Sequence, residues 1–176
     1  MVQLIRPSIE YEAQAKDLYK SWIAFEDSIE ACSGLDCFVK DDPTNGYKDW
    51  LIKTNLNWNG LYSEVEYILQ RTYFIKNDRE LVGFLGITLS LDEVLYNVGG
   101  HIGIGISPKH RRKGYAKDAF RLALDKCRQW EMDRILVICN KTNIASCSLI
   151  ESCGGVFENE YSFEKDVYRR YWFELI

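Results

Sequence analysis

Proline is scarce in this chain, with three residues in 176, and no repeat or low-complexity tract interrupts the sequence. No apolar run approaches the roughly 20 residues that a membrane-spanning helix needs, and the opening MVQLIRPSIE lacks the apolar segment of a secretory signal. None of the six cysteines forms a C-x-x-C pair, which makes a zinc site unexpected. These absences favour a single cytoplasmic domain with reduced thiols, without a bound metal and without a membrane partner.

The hydrophobic pattern predicts a mixed α/β (α+β) domain. Residues 114–130 place alanine, phenylalanine and leucine on one face at a period of 3.6, which is typical of an amphipathic helix. RILVIC, at 134–139, is a short β-branched run of the kind found in a buried strand. The other predicted elements, in chain order, are a strand at 2–6, helices at about 9–30 and 47–56, a short helix after Ser63, a hairpin of RTYFIK and LVGFLGITLSL, a loop at 92–100, a strand HIGIGISP, a helix within NIASCSLIESCGG and two final strands, VFENEYSF and DVYRRYWFEL.

A basic segment, SPKHRRKGYA at 107–116, stands out in a chain whose net charge is −4. It follows a predicted strand and contains a glycine at the start of a predicted helix. The first N–H groups of a helix lack partners within it, and the helix dipole adds positive potential, so this arrangement favours a bound phosphate. The glycine patterns of dinucleotide sites and P-loops are absent, and what remains is R-x-x-G-x-A at Arg111, Gly114 and Ala116. Nucleic acid is disfavoured by the overall acidity and by the lack of a second basic element.

These residues resemble the motif of the GNAT superfamily of acyl-CoA-dependent N-acyltransferases, Q/R-x-x-G-x-G/A. The segment N-x-x-S-x-x-L-I-E-x-x-G-G, from Asn143 to Gly155, is similar to the family's second cofactor-side helix, and the strand order agrees as well. The sequence is most similar to a bacterial subgroup of predicted acetyltransferases. The resemblance implies a mostly antiparallel central sheet with splayed central strands, flanked by helices. It divides one domain, 1–176, into acceptor-side helices (1–70), an acyl-CoA-binding core (71–155) and C-terminal strands (156–176).

The resemblance also implies the activity, in which the acetyl group of acetyl-CoA passes to a primary amine of a small molecule or peptide by direct attack. Backbone amides from Arg111 to Ala116 would hold the pyrophosphate, and the pantetheine arm would lie along residues 102–106. The backbone N–H of Ile104 or a neighbour would polarise the thioester carbonyl. Asn143 fits both an N-cap and a pantetheine contact. The implied cofactor-binding residues are Ile104, Gly105, Ile106, Arg111, Arg112, Lys113, Gly114, Tyr115, Ala116, Asn143 and Ser146.

The catalytic residues that are usual in the family are replaced here. Where a glutamate often serves as the base, the chain has His101, which is either the base or a hydrogen-bonded strand residue. Ile150 fills the position of the tyrosine that usually acts as the acid, so Tyr171 or Tyr168, on the last strand, is either the substitute acid or a structural residue. An acidic N-terminal region either recruits a cationic amine or is a solvated helix face. Its members are Glu26, Asp27, Glu30, Asp36, Asp41 and Asp42.

Two alternative functions remain open. A domain that holds acyl-CoA without catalysis, as a sensor, fits the missing tyrosine. A nucleic-acid-binding protein that uses KHRRK would show binding that falls steeply with salt. A homodimer is a further expectation, with the aromatic tail YRRYWFELI as its contact.

Overall fold

The computed structural model describes residues 1–25, 46–61 and 68–176 of the chain. The predicted helix after Ser63 and the last part of the helix predicted at 9–30 lie outside the described residues. None of the described helices is long and apolar enough to cross a membrane. The main elements follow the predicted order and are β1 (Gln3–Ile5), α1 (Glu12–Ile23), α2 (Gly46–Trp58), β2 (Gln70–Lys76), β3 (Leu81–Thr88), β4 (Ile102–Ile106), α3 (Tyr115–Gln129), β5 (Arg134–Asn140), α4 (Ile144–Ser152), β6 (Val156–Phe163) and β7 (Asp166–Glu174).

The strands form two half-sheets. In the first, β1, β2, β3 and β4 pair antiparallel in chain order, and in the second β7 lies between β5 and β6, again antiparallel. Between the halves, the described residues contain a single isolated bridge, from Gly100 to Val137. The splayed central strands that the resemblance implies are therefore present, and they are β4 and β5.

Helices cover both faces of the first half-sheet. α3 packs its apolar stripe against one face, as its 3.6-residue period predicts, and α1 and α2 cover the other. β3 lies between these two layers, and all eight of its residues are buried. The buried residues of the α3 stripe are Ala119, Phe120, Ala123, Leu124 and Cys127. This packing holds β4, the neighbour of β3, in a fixed place beside the gap between the half-sheets.

The segment before β4 differs from the predicted loop. Leu95–Gly99 forms a π-helical turn, and Gly100 follows it with φ 74° and ψ −173°, a conformation that is essentially restricted to glycine. A Cβ atom at Gly100 would also lie 2.8 Å from the carbonyl oxygen of Leu136. The chain thus passes close to β5 before it enters β4, and it carries His101 to the boundary between the two half-sheets.

Candidate active site

The loop between β4 and α3 is shaped to bind an anion through its backbone. Arg112 and Gly114 have positive φ values of 63° and 83°, and the residues between and after them return to ordinary conformations. Such an alternation turns successive N–H groups toward one concave side. Gly114 is the N-cap of α3 and has no side chain to cap it, so the first N–H groups of the helix remain available to a ligand. Gly114 is exposed, and a Cβ atom there would meet no atom within 4 Å.

The side chains of Arg111, Arg112 and Lys113 in the basic run have two different surroundings: the first bonds back to the protein backbone, and the other two are exposed beside the loop. Arg111 turns back, because its Nε donates to the carbonyl oxygen of Ile106 at 2.9 Å, and its guanidinium lies 6.0 Å from the ring centre of Trp22. Lys113 and Arg112 are exposed, and the Lys113 Nζ donates to the carbonyl oxygen of Lys109 at 3.2 Å. Arg111 therefore supports the loop at the end of β4, while Arg112 and Lys113 are placed to attract a phosphate.

The turn between β2 and β3 contacts the basic loop, and the sequence did not predict this contact. Glu80 lies 3.7 Å from the Lys109 Nζ and 3.9 Å from the Nε2 of His110, and the Nδ2 of Asn77 donates to the Tyr115 hydroxyl at 3.4 Å. His110 is only 5% exposed. Burial lowers its pKa, and the neighbouring lysines add to this effect while Glu80 opposes it. His110 is therefore neutral near neutral pH and contributes no charge to the anion site.

The gap between β4 and β5 exposes strand backbone. Thr88 donates to the His101 carbonyl at 2.8 Å and Ser107 donates to the Val82 carbonyl at 3.0 Å, so odd-numbered residues of β4 bond to β3. Backbone groups alternate in direction along an antiparallel strand. Ile104 therefore points its N–H and C=O into the gap, where none of the described strands pairs with it. By the same alternation Ile138 of β5 faces the gap from the other side. This geometry supports the predicted contact of the Ile104 N–H with a thioester.

His101 occupies the closed end of the gap. Its backbone N–H donates to the Leu136 carbonyl at 2.7 Å, and the Leu136 N–H donates to its Nδ1 at 2.9 Å. Burial lowers the pKa of His101, so the ring is neutral at neutral pH. The strand phase that the sequence left open is thus settled: His101 bridges β4 and β5.

The start of α4 lies at the carboxyl end of β5. Asn143 is its N-cap, because the Asn143 Oδ1 accepts from the Ser146 N–H at 3.0 Å, which confirms one of the two predicted roles of this residue. Ile150, in the position of the usual tyrosine, is buried in the core. Tyr171 is also buried, beneath α4, and its hydroxyl donates to Glu151 Oε1 at 2.9 Å. Burial and this hydrogen bond raise the pKa of Tyr171.

Two thiols meet between this helix and β5, Cys147 on the helix and Cys139 on the strand. The Sγ atoms of Cys139 and Cys147 are 3.3 Å apart. Burial raises the pKa of Cys139 to about 12, and the contact with Cys147 adds to the effect, so Cys139 is protonated and a poor nucleophile. No group of three or more histidine, cysteine or acidic side chains in the described ranges could hold a metal ion.

The opposite face of β7 carries a buried cation. Arg170 is 4% exposed, and its Nε donates to Glu158 at 2.9 Å while its Nη1 donates to Asn97 at 3.3 Å. Its guanidinium also lies 4.5 Å from the ring centre of Tyr96. Because Tyr96 and Asn97 belong to the π-helical turn, Arg170 anchors that turn against the second half-sheet. The six acidic residues at 26–42 that the sequence associates with an amine lie outside the described residues.

Comparison with known proteins connects these features. The sequence model of the acetyltransferase (GNAT) family matches residues 35–155. The structure is similar to RimL, a ribosomal L7/L12 alpha-N-protein acetyltransferase in complex with coenzyme A, with a TM-score of 0.71 and 14% identity over 99% of this chain and 94% of that one. It is also similar to the microcin C7 self immunity acetyltransferase MccE in complex with acetyl-CoA and AMP, with a TM-score of 0.69 and 14% identity over 98% and 92% of the two chains.

A third similar structure is an acetyl transferase from Salmonella typhimurium that modifies the N-terminal serine of the 50S ribosomal subunit protein L7/L12. It has a TM-score of 0.66 and 13% identity over 98% of this chain and 94% of that one. No curated protein matches the sequence. At identities this low, the solved structures show a shared fold.

Proposed function

This chain belongs to the acetyltransferase (GNAT) family, and from that premise we propose that it transfers the acetyl group of acetyl-CoA to a primary amine of a small molecule or peptide. One observation carries the proposal. An anion-binding helix start lies at the end of a strand whose neighbouring edge is unpaired, so one extended ligand with a pyrophosphate and amide groups fits both features.

The proposed binding roles follow the chain from the loop to the gap. Backbone amides of Arg111 to Ala116, Tyr115 among them, hold the pyrophosphate, with the side chains of Arg112 and Lys113 at the rim. The strand segment from Ile104 through Gly105 to Ile106 borders the pantetheine. Bound acetyl-CoA supplies the activated acyl group, and the Ile104 N–H donates to its thioester oxygen, where negative charge develops. Asn143 and Ser146, at the start of α4, border the same ligand.

For the proton steps the sequence offers two candidates, His101 and Tyr171. His101 stands at the closed end of the gap, which supports a place near the reacting groups. A base at Nε2 needs a lone pair there, whereas the bond from Leu136 to Nδ1 places the proton of a neutral ring on Nε2. Tyr171 keeps its hydroxyl proton at neutral pH, but its raised pKa, its burial and its bond to Glu151 weigh against the role of acid, because an efficient general acid has a pKa near the operating pH.

The acceptor is proposed to be an amine, and two classes are to be compared. RimL and the Salmonella typhimurium enzyme are described as modifying the N-terminus of a ribosomal protein, which supports a peptide α-amine. The acidic residues at 26–42 favour a cationic small molecule such as a polyamine or aminoglycoside.

The experiment that tests the function has two stages. Calorimetric titration with acetyl-CoA, coenzyme A, ATP and NAD is expected to show binding of the first two alone. Release of free thiol is then measured with a panel of peptides, some beginning with serine, and of cationic amines. A folded protein that binds neither acetyl-CoA nor coenzyme A contradicts the proposal.

A non-catalytic acyl-CoA sensor is the second candidate, and the burial of Ile150 where the family has a tyrosine favours it. Tight acetyl-CoA binding without thiol release across the whole panel would support the sensor. The homodimer and the cytoplasmic location stay predictions, and sedimentation at high concentration tests the first of these.

A further inference from the structure

His101 completes the pairing between the two half-sheets with its side chain. Within 3 Å it satisfies both backbone groups of Leu136: its N–H donates to the Leu136 carbonyl at 2.7 Å, and its Nδ1 accepts from the Leu136 N–H at 2.9 Å. We propose that His101 is a positioning residue whose ring replaces a missing carbonyl of the β4 side, and that it thereby fixes where β4 and β5 separate. The consequence for acetyl-CoA rests on the proposed function.

The backbone geometry shows why a side chain has to accept this bond. In a regular strand the N–H and C=O of one residue point the same way. At His101 they do not, because its N–H reaches β5 while its carbonyl accepts from Thr88 of β3 at 2.8 Å. Gly100, with φ 74° and ψ −173°, directly precedes His101 and brings the chain close to β5 at this point. The Leu136 N–H therefore faces β4 at a level where no β4 carbonyl is available.

The same contact determines the tautomer of the ring. A backbone N–H is always a donor, so the Nδ1 atom that it faces at 2.9 Å must carry a lone pair. The Leu136 carbonyl, 3.3 Å from Nδ1, already accepts from the backbone N–H of His101. In the neutral ring the proton is then on Nε2. A general base needs a lone pair on Nε2, whereas the bridge through Nδ1 places a proton there. The two roles can therefore be separated by experiment.

The direct measurement is the ¹⁵N spectrum of the His101 ring in the unmodified protein. The chain has two histidines, so a His110→Gln variant assigns the signals. At about pH 7.5 we expect the pattern of a neutral ring protonated on Nε2. A ring protonated on Nδ1, or an imidazolium, overturns the proposal. This arm requires neither acetyl-CoA nor a variant of His101.

Two substitutions at His101 test the bridge itself. The Oδ1 of asparagine stands near the place of the histidine Nδ1, whereas leucine fills the space without an acceptor. Loss of the acceptor leaves the N–H of the buried Leu136 unpaired, so His101→Leu should raise the exchange rate of that amide at least about tenfold. His101→Asn should recover most of this protection, and His101→Gln, whose amide lies near the place of Nε2, should recover less. Equal exchange in all three variants contradicts the bridge.

Acetyl-CoA binding and turnover then connect the bridge to the reaction. His101→Leu is expected to weaken acetyl-CoA binding about tenfold or more, and His101→Asn is expected to recover affinity and turnover together. If His101→Asn loses turnover as completely as His101→Leu while it keeps its affinity for acetyl-CoA, His101 is the base and the positioning role is wrong. If the unmodified protein binds no acetyl-CoA, the proposed function fails, and the ring spectrum and the Leu136 exchange still decide whether the bridge exists.

Discussion

Replacing Gly114 separates its backbone role from its role at the anion site. Its φ of 83° strains any other residue, but a Cβ atom there would meet no atom within 4 Å. The stability cost of Gly114→Ala is therefore conformational, about 1–2 kcal/mol. Gly154, with φ 98° and equally open surroundings at the end of α4, offers a matched control. Both alanine variants should lower Tm by about 2–8 °C, since each kcal/mol corresponds to about 2–4 °C in a chain of this size.

The effect on acetyl-CoA should differ between the two sites. Gly114→Asp places a carboxylate beside the N–H groups that are to hold the pyrophosphate. Like charges about 4 Å apart repel by about 4 kcal/mol at an effective dielectric constant of about 20, and screening by salt reduces this. A net loss of about 2–4 kcal/mol corresponds to about 30- to 700-fold weaker binding. Gly154→Ala should bind acetyl-CoA like the unmodified protein.

Isothermal titration calorimetry gives the affinities, and thermal scans give the stabilities of the same samples. The reasoning is refuted if Gly114→Asp is folded and binds acetyl-CoA within about threefold of Gly154→Ala, a difference below 1 kcal/mol. Such a result would remove the helix start from the ligand site while leaving the family assignment untouched.

Acidification from about pH 7.5 to about 5.5 should lower Tm. Burial holds the pKa of His101 below its usual value of about 6.5, so the unfolded chain binds more protons than the folded one below that pH. The free energy of unfolding then falls by up to about 1.4 kcal/mol for each pH unit. His101→Asn should reduce this dependence of stability on pH, and an unchanged dependence would contradict the reasoning. Iodoacetamide should modify Cys153, which is partly exposed, well before buried Cys139, whose pKa is raised to about 12; peptide mapping that shows equal rates would refute it. Glu158→Gln removes the charge that compensates a buried guanidinium and should cost about 1–3 kcal/mol by denaturant titration. Glu160→Gln, whose partners Lys141 and Arg169 are far more exposed than Arg170, should cost less, and equal costs would contradict the assigned burial.

The arrangement of strand, loop and helix at 107–116 could be predicted because its signals are local. The end of a strand, a glycine and the start of an amphipathic helix lie within 107–116, and each follows from its near neighbours in the chain. The same holds for α3, whose apolar period predicts its buried face. The Asn143 cap is likewise a contact across three residues.

The boundary between β4 and β5 could not be predicted in the same way. It depends on the contact of His101 with Leu136, 35 residues later, and on a π-helical turn that has no distinct sequence pattern. A one-residue change of strand phase would have turned the ring to the other face. The contact of Glu80 with the basic loop is also long-range, so the sequence alone does not reveal that His110, within the run of five basic side chains, is buried.

An interrupted central sheet links the stability of this protein to its ligand. The edges of β4 and β5 border the gap, and none of the described strands pairs with the Ile104 backbone there. A ligand with amide groups in line can bond to these edges as an added strand does, and it then holds the two half-sheets together. At a concentration of about 100 times Kd, such a ligand stabilises the folded state by about 2.7 kcal/mol. The melting temperature of this protein then depends on the supply of its co-substrate, so its lifetime in a cell would follow the state of acyl metabolism.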